Sequence, residues 1–256
     1  MTTSTTMTSW PYPLWIAHRG AGRLAPENTL AAFRVGASHG FRAFECDIKL
    51  SADGVPFLLH DATLQRTSSG RGIAGERPWS ELARLDAGGW HSRAFAGEPP
   101  ASLEAIATFC RRNGHALNIE IKPTPGTGEH TGQRVALEAA RLWSGAATPP
   151  LLSSFEPAAL KAARDAVPTL PRALLLDTLR PGWFDEAQAL GCVAVVTNYS
   201  VMDADVLARL RGSGLRALVY TVNDPAEALR LVGLGIDGII TDAVDRFAPV
   251  SAGLHD

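Results

Sequence analysis

The chain has 256 residues, 46% of them hydrophobic, enough to bury a full core in one large domain or two small ones. Its 24 basic side chains nearly cancel 26 acidic ones, for a formal net charge of -2 with no basic stripe or like-charge run, so nucleic acid and anionic membrane are poor partners. No apolar stretch approaches the roughly 20 residues of a membrane span. Residues 1–10 lack the basic and apolar regions of a secretory signal. Cys46, Cys110 and Cys192 are an odd number at wide spacing without a CxxC pair, which suits a reducing compartment. The expectation is a cytoplasmic protein.

Short apolar runs alternate with helical patterns from end to end. Trp15 to His18 is the first strand, and Pro26 to His39, with Leu30, Phe33 and Ala37 on one face, is the first helix. Phe41 to Leu50 is the second strand. The Asp53-Gly54 turn sends Val55 to Leu59 back beside it as a hairpin, which brings His60 close to Glu45 and Asp47. Residues 61–100 are too long for an ordinary connection. This Gly-, Arg- and Ser-rich stretch, with Trp79 and Trp90, reads as an insertion over about 62–100 that caps the barrel mouth and shapes substrate access.

Beyond it come a helix over Ser102 to Asn113, stopped by Gly114, a strand over Leu117 to Ile121, and a helix over Gly132 to Trp143. Strands follow at Leu151 to Ser153, Ala173 to Leu176, Val193 to Val196, Ala217 to Tyr220 and Gly238 to Thr241. Helices open at Glu156-Pro157, at Pro181, at the Asp203 cap and at Asp224-Pro225-Ala226-Glu227; an eighth, after Asp242, is short and poorly defined. Eight strands alternating with helices predict a (β/α)8 TIM barrel, one domain over about residues 14–248. A doubly wound open sheet ranks lower, because no GxGxxG turn is present.

Strand side chains alternate between faces. Glu45 and Asp47 therefore share a face opposite Phe44, Cys46 and Ile48, and Asn118, Glu120 and Lys122 share one opposite Leu117, Ile119 and Ile121. With the apolar faces under the helices, the polar faces point into the barrel. Three buried carboxylates need positive compensation. An ion held by oxygen alone would be a hard one, Mg2+ or Ca2+; an internal ion-pair network with Arg19 and Lys122 is the alternative. His18 and His60 close their strands in polar surroundings and suit proton transfer near neutral pH. Arg19 and Lys122 suit phosphate oxygens, and Gly20 and Gly22 let backbone approach a ligand. Collected at one place, these groups are equipped to break a phosphate ester.

His18-Arg19-Gly20, Pro26-Glu27-Asn28-Thr29, Glu45-x-Asp47, Asp53-Gly54 leading to His60-Asp61, and Asn118-Ile119-Glu120-Ile121-Lys122 occur in that order. So do Ser153-Ser154-Phe155, Tyr220-Thr221-Val222-Asn223 and Gly238-Ile239-Ile240-Thr241-Asp242. In this combination the chain resembles the glycerophosphodiester phosphodiesterases, and among them the bacterial cytosolic enzyme associated with glycerol 3-phosphate uptake. The resemblance implies a barrel of the phosphatidylinositol phospholipase C-like type. It implies metal-dependent cleavage of a small-molecule glycerophosphodiester to sn-glycerol 3-phosphate and an alcohol. It casts His18 and His60 as acid-base pair, Glu45, Asp47 and Glu120 as ligands of Mg2+ or Ca2+, Arg19 and Lys122 as phosphate contacts, and Phe155 and Tyr220 as a substrate wall. Tyr220 departs from the tryptophan of many relatives. The glycerol 2-hydroxyl is the implied nucleophile, through a cyclic phosphate. A barrel aldolase or isomerase using Lys122 as a Schiff base, and a non-catalytic phosphometabolite-binding barrel, are the competing readings.

Overall fold

A computed structural model describes residues 10–247. Residues 1–9, and with them most of the N-terminal segment read above, lie outside the described part, as do residues 248–256. Eight parallel strands close into a barrel: β1 (Trp15–Ala17), β2 (Ala43–Leu50), β4 (Ala116–Ile121), β5 (Leu151–Ser154), β6 (Arg172–Leu176), β7 (Ala194–Asn198), β8 (Arg216–Tyr220) and β9 (Gly238–Thr241). Strand β1 closes the ring by pairing with both β9 and β2. The short β3 (Pro56–Leu58) runs antiparallel to β2, with Ile48 opposite Leu58, as the Asp53-Gly54 turn requires. This is the (β/α)8 TIM barrel expected from the alternation.

Among the described residues, seven of the eight α-helices are α1 (Leu30–Ser38), α3 (Leu103–Arg112), α4 (Gly128–Leu142), α5 (Pro157–Ala166), α6 (Trp183–Ala189), α7 (Ala204–Gly212) and α8 (Pro225–Leu234). Local signals set their starts. Thr29, Ser102, Asp203 and Asp224 each accept a hydrogen bond from a first-turn N–H, satisfying donors that the helix itself leaves free. Two starts differ from expectation. Helix α4 begins at Gly128, a turn before Gly132, and α6 begins at Trp183 because Gly182 stands at φ 79°. After Asp242 the described residues form only a turn over 244–246.

The alternation of β2 decides which groups meet. Phe44, Cys46 and Ile48 join Phe33, Leu103, Ile106 and Leu117 in the layer between strands and helices. Inside the ring, Ile16, Ala43, Leu151, Ala173, Val196, Leu218 and Ile240 fill one end. That end is plugged by Trp10 and Tyr12, packed edge to face and bonded to the carbonyls of Asp237 and Pro149, which precede β9 and β5. The polar residues Glu45, Asp47, Asn118 and Glu120 stand further along the same inward faces. They gather at the C-terminal end of the strands, where barrels of this kind carry their sites.

The insertion holds α2 (Trp79–Leu82) and two short 3-10 turns. It packs on the β3 flank of the barrel, and its first residues, Ala62 and Thr63, line the opening beside Lys122 and Phe155. Leu64, Ala74 and Leu82 pack with Phe57 and Leu59 against the β3 side of the hairpin; Trp79 rests on Phe57, and Trp90 donates to the Ala87 carbonyl. Trp79 finds apolar cover within the segment and its hairpin, Trp90 remains exposed, and neither lines the central cleft. Among the described residues no helix is long and apolar enough to cross a membrane, and all three cysteines are free and buried.

Candidate active site

Strand register brings the acids together. Asp47 is level with Glu120, and Glu45 with Asn118, across the β2–β4 pairing. Glu45, Asp47 and Glu120 are all buried, and one oxygen from each lies within 4.8 Å of the others.

His18 and Arg19 leave the end of β1 in a tight loop. Its backbone is held by His18 N–H on the Thr241 carbonyl and Gly22 N–H on the His18 carbonyl. A side chain at Gly22 would run into the Asp242 carbonyl at 2.2 Å, and one at Gly20 would meet α1 at Ala32. Arg19 (φ 50°) and Asn28 (φ 61°) sit in the left-handed region that non-glycine residues seldom occupy. Asn28 N–H donates to the Arg19 carbonyl, and its side chain makes a two-way pair with Asp47, donating to Oδ2 and accepting from the backbone N–H. Strain concentrated at these two residues is characteristic of a site held for function.

The three acids are compensated unequally. Asp47 Oδ2 lies 3.1 Å from Arg19 Nε, and Oδ1 lies 3.4 Å from Lys122 Nζ. Burial opposes its charge, but Arg19, Lys122 and the Asn28 amide overcome it and hold its pKa far below the ordinary carboxylate range. Glu120 accepts from Lys122 at 2.8 Å, yet burial and Asp47 still push its pKa up. Glu45 has no Arg or Lys side chain in contact, and the basic group beside it is the His18 ring, with Nε2 3.8 Å from Oε2. Oε2 accepts only the Arg19 backbone N–H, Oε1 has no partner, and burial followed by the Asp47 charge raises its pKa to about 8. The ion-pair network is thus realised for Asp47 and Glu120 and fails at Glu45. The unpartnered Glu45 Oε1 and Asp47 Oδ1, both buried, are the acceptors a cation would satisfy.

Each histidine is oriented by an aspartate. His18 Nδ1 lies 2.6 Å from Asp242 Oδ1, and Asp242 Oδ2 accepts from the Asn223 amide. His60 Nδ1 lies 2.7 Å from Asp61 Oδ1. Nδ1 bonded to a carboxylate leaves Nε2 as the nitrogen free to exchange a proton. Burial lowers the His18 pKa, but the Asp242 hydrogen bond and the Glu45 charge outweigh it and the net shift is upward. Burial prevails at His60 and its pKa falls.

These groups open into one cleft of about 340 Å³, lined by His18, Arg19, Glu45, His60, Glu120 and Lys122, with Asp47 buried behind them. Phe155 and Tyr220 form the opposite wall with rings perpendicular and 5.8 Å apart. All nine residues picked from sequence therefore converge. Sequence reasoning gave no role to Asp242, Asp61, Glu27, Asn28 or Asn223, although all five stand in the quoted motifs. A carboxylate directly after a strand-end histidine, or after the strand paired with it, was the available signal. Lys49 was also missed. It shares the inward face of β2, donates to the Lys122 carbonyl, and burial brings its pKa down to about 8.

A model of the glycerophosphoryl diester phosphodiesterase family matches residues 18–246. The chain belongs to that family. A glycerophosphodiester phosphodiesterase of Caldanaerobacter subterraneus subsp. tengcongensis is 29% identical over 229 residues, spanning 90% of this chain and 93% of the relative. A solved phosphodiesterase of Oleispira antarctica, in complex with its product sn-glycerol-3-phosphate, superposes with a TM-score of 0.84 at 30% identity, covering 91% of this chain and 94% of that one. The glycerophosphodiester phosphodiesterase of Agrobacterium tumefaciens gives a TM-score of 0.79 at 27% identity over 93% and 99%. A member of this family on this barrel is a glycerophosphodiester phosphodiesterase, and the acidic triad is the place in it that could hold a metal ion.

Proposed function

We propose that the chain hydrolyses glycerophosphodiesters to sn-glycerol 3-phosphate and an alcohol in the cytoplasm, with Mg2+ or Ca2+ held by Glu45, Asp47 and Glu120. The observation that carries this reading is the pair of aspartate-oriented histidines facing one cleft across the acidic triad. The cation, when bound, supplies Lewis-acid polarisation of the phosphate and of a hydroxyl beside it. Arg19 and Lys122 neutralise the non-bridging oxygens as their charge grows. One histidine takes the proton of the attacking hydroxyl while the other gives one to the leaving alcohol; Asp242 and Asp61 keep both rings in the required tautomer. The attacking group is the glycerol 2-hydroxyl, so a cyclic phosphate forms first and water then opens it, with the histidines exchanging roles. Phe155 and Tyr220 give the substrate an apolar wall.

The Schiff-base alternative needs a neutral Lys122. Burial favours that form, but Asp47 and Glu120 outweigh it and raise the Lys122 pKa. The test is glycerol 3-phosphate release from glycerophosphocholine, glycerophosphoethanolamine, glycerophosphoglycerol and glycerophosphoinositol, with Mg2+, Ca2+ or excess chelator. Turnover of at least one diester that chelation stops and a divalent ion restores is expected. Full turnover by protein shown metal-free by elemental analysis would refute the metal assignment, and no turnover under any condition would refute the activity.

A further inference from the structure

We propose that Arg66, on the insertion, is a positioning residue of the active site that holds the orienting partner of His60 and the partner of Arg19 in one grip. Its guanidinium donates from Nε and Nη2 to both oxygens of Asp61, at 2.7 and 3.0 Å, and from Nη1 and Nη2 to both oxygens of Glu27, each at 2.8 Å. Asp61 in turn holds His60 Nδ1, and Glu27 accepts from Arg19 Nη1 at 2.9 Å. One side chain is therefore linked, through a single carboxylate each way, to a proton-transfer histidine and to a phosphate-facing arginine. The role rests on the functions proposed for His60 and Arg19.

A partly exposed ion pair ordinarily contributes little. Three features separate this one. The fork is bidentate to both acids, which fixes angle as well as distance. The two carboxylates are only 13% and 28% exposed, against 44% for Arg66 itself, so water replaces the guanidinium poorly. And Arg66 is itself held in place. Its loop is anchored by Leu64, packed under the hairpin, by the Thr63–Ile73 bridge, by Leu64 N–H on the Gly72 carbonyl and by Ser68 Oγ on the Leu64 carbonyl. Without the guanidinium, Glu27 and Asp61 would face each other as like charges. Asp61 would be free to turn from His60, and Glu27 would draw Arg19 away from Asp47. The insertion then serves the chemistry through this residue.

The experiment measures kcat and KM for glycerophosphocholine, or whichever diester the wild type turns over fastest, under saturating Mg2+. Compared are wild type, Arg66→Met, Arg66→Lys, Asp61→Asn and the Arg66→Met/Asp61→Asn double variant, each with its melting temperature. Misplacing catalytic groups without removing them predicts that Arg66→Met loses about 10–100-fold in kcat, with KM moving less than about threefold. Added guanidinium should restore several-fold of that loss in Arg66→Met and nothing in wild type. Arg66→Lys, which keeps charge but not the fork, should fall between. In the Asp61→Asn background the Arg66→Met loss should shrink to the share that runs through Glu27 and Arg19, because the share that runs through His60 is already gone. A kcat within twofold of wild type in Arg66→Met, or in Arg66→Lys should the methionine variant not fold, would overturn the inference. So would losses that multiply fully in the double variant. A wild type inactive on every diester would instead strike the phosphodiesterase reading itself.

Discussion

Glu45→Gln should make the cation-free protein more stable while abolishing its activity. Glu45 is 3% exposed, its Oε1 has no partner, and its pKa rises from 4.5 to about 8. Below pH 4.5 folded and unfolded chains both hold the proton and no penalty exists. As pH climbs, the unfolded chain releases the proton freely while the folded one must keep it or bear a buried charge. Stability is lost progressively up to about pH 8 and then levels off. At pH 7 the penalty is on the order of 3 kcal/mol. Glutamine keeps an oxygen for the Arg19 N–H and has no charge to compensate. In chelator at pH 7 the variant should therefore melt roughly 6–12 °C above wild type for a chain of this size, with no gain at pH 4. Saturating Mg2+ or Ca2+ should raise the wild-type melting temperature and reduce or reverse that difference, because a ligand that binds only the folded state stabilises it. Thermal melts monitored by circular dichroism across pH 4–9, with and without the ions, measure all of this. Equal melting temperatures of wild type and Glu45→Gln in chelator at pH 8 would refute the reasoning, since they would mean that Glu45 is already compensated.

His18→Ala and His60→Ala should each lose about 10²–10⁴ in kcat with melting temperatures close to wild type; near-normal turnover by either well-folded variant, in the glycerol 3-phosphate release assay, removes that ring from the mechanism. A diester whose glycerol 2-hydroxyl is replaced by hydrogen should bind as a competitive inhibitor and not react, because an intramolecular nucleophile carries an effective concentration on the order of 10⁵ M or more that no other group replaces. Comparable kcat for that analogue would show that water attacks directly.

The fold was legible because the barrel's two periodicities coincide with its two environments. Phe44, Cys46 and Ile48 read as one face and do pack under helices, and Glu45 and Asp47 read as the other and do point inward. The convergence of the polar residues was legible for the same reason, since a carboxylate on an inward strand face has few structural uses. What sequence did not reveal was the set of partners that orient the obvious residues. Arg66 lies 39 positions from Glu27 and reaches it only because Leu64 and Thr63 pin the loop. No periodicity encodes that approach. The tryptophans misled for a related reason. A large aromatic in a long connection suggests a covering surface, but Trp79 finds its cover in the segment's own small core, toward which Phe57 and Leu59 turn, and Trp90 stays exposed.

The unequal compensation of the acids has a consequence for how such a site can exist at all. Had Arg19 and Lys122 neutralised all three carboxylates, the site would be stable without a cation and would have no acceptor left to offer one. Asp47 is tied by Asn28, Arg19 and Lys122, so it fixes the geometry of the loop after β1 whether or not an ion is present. Glu45 Oε1 has no partner and no Arg or Lys side chain offsets its charge, so a bound divalent ion would relieve it most. On the proposed metal reading, rigidity and affinity would fall to acids two residues apart on one strand face, and an exchange of the two, Glu45→Asp with Asp47→Glu, should preserve the net charge yet lose both.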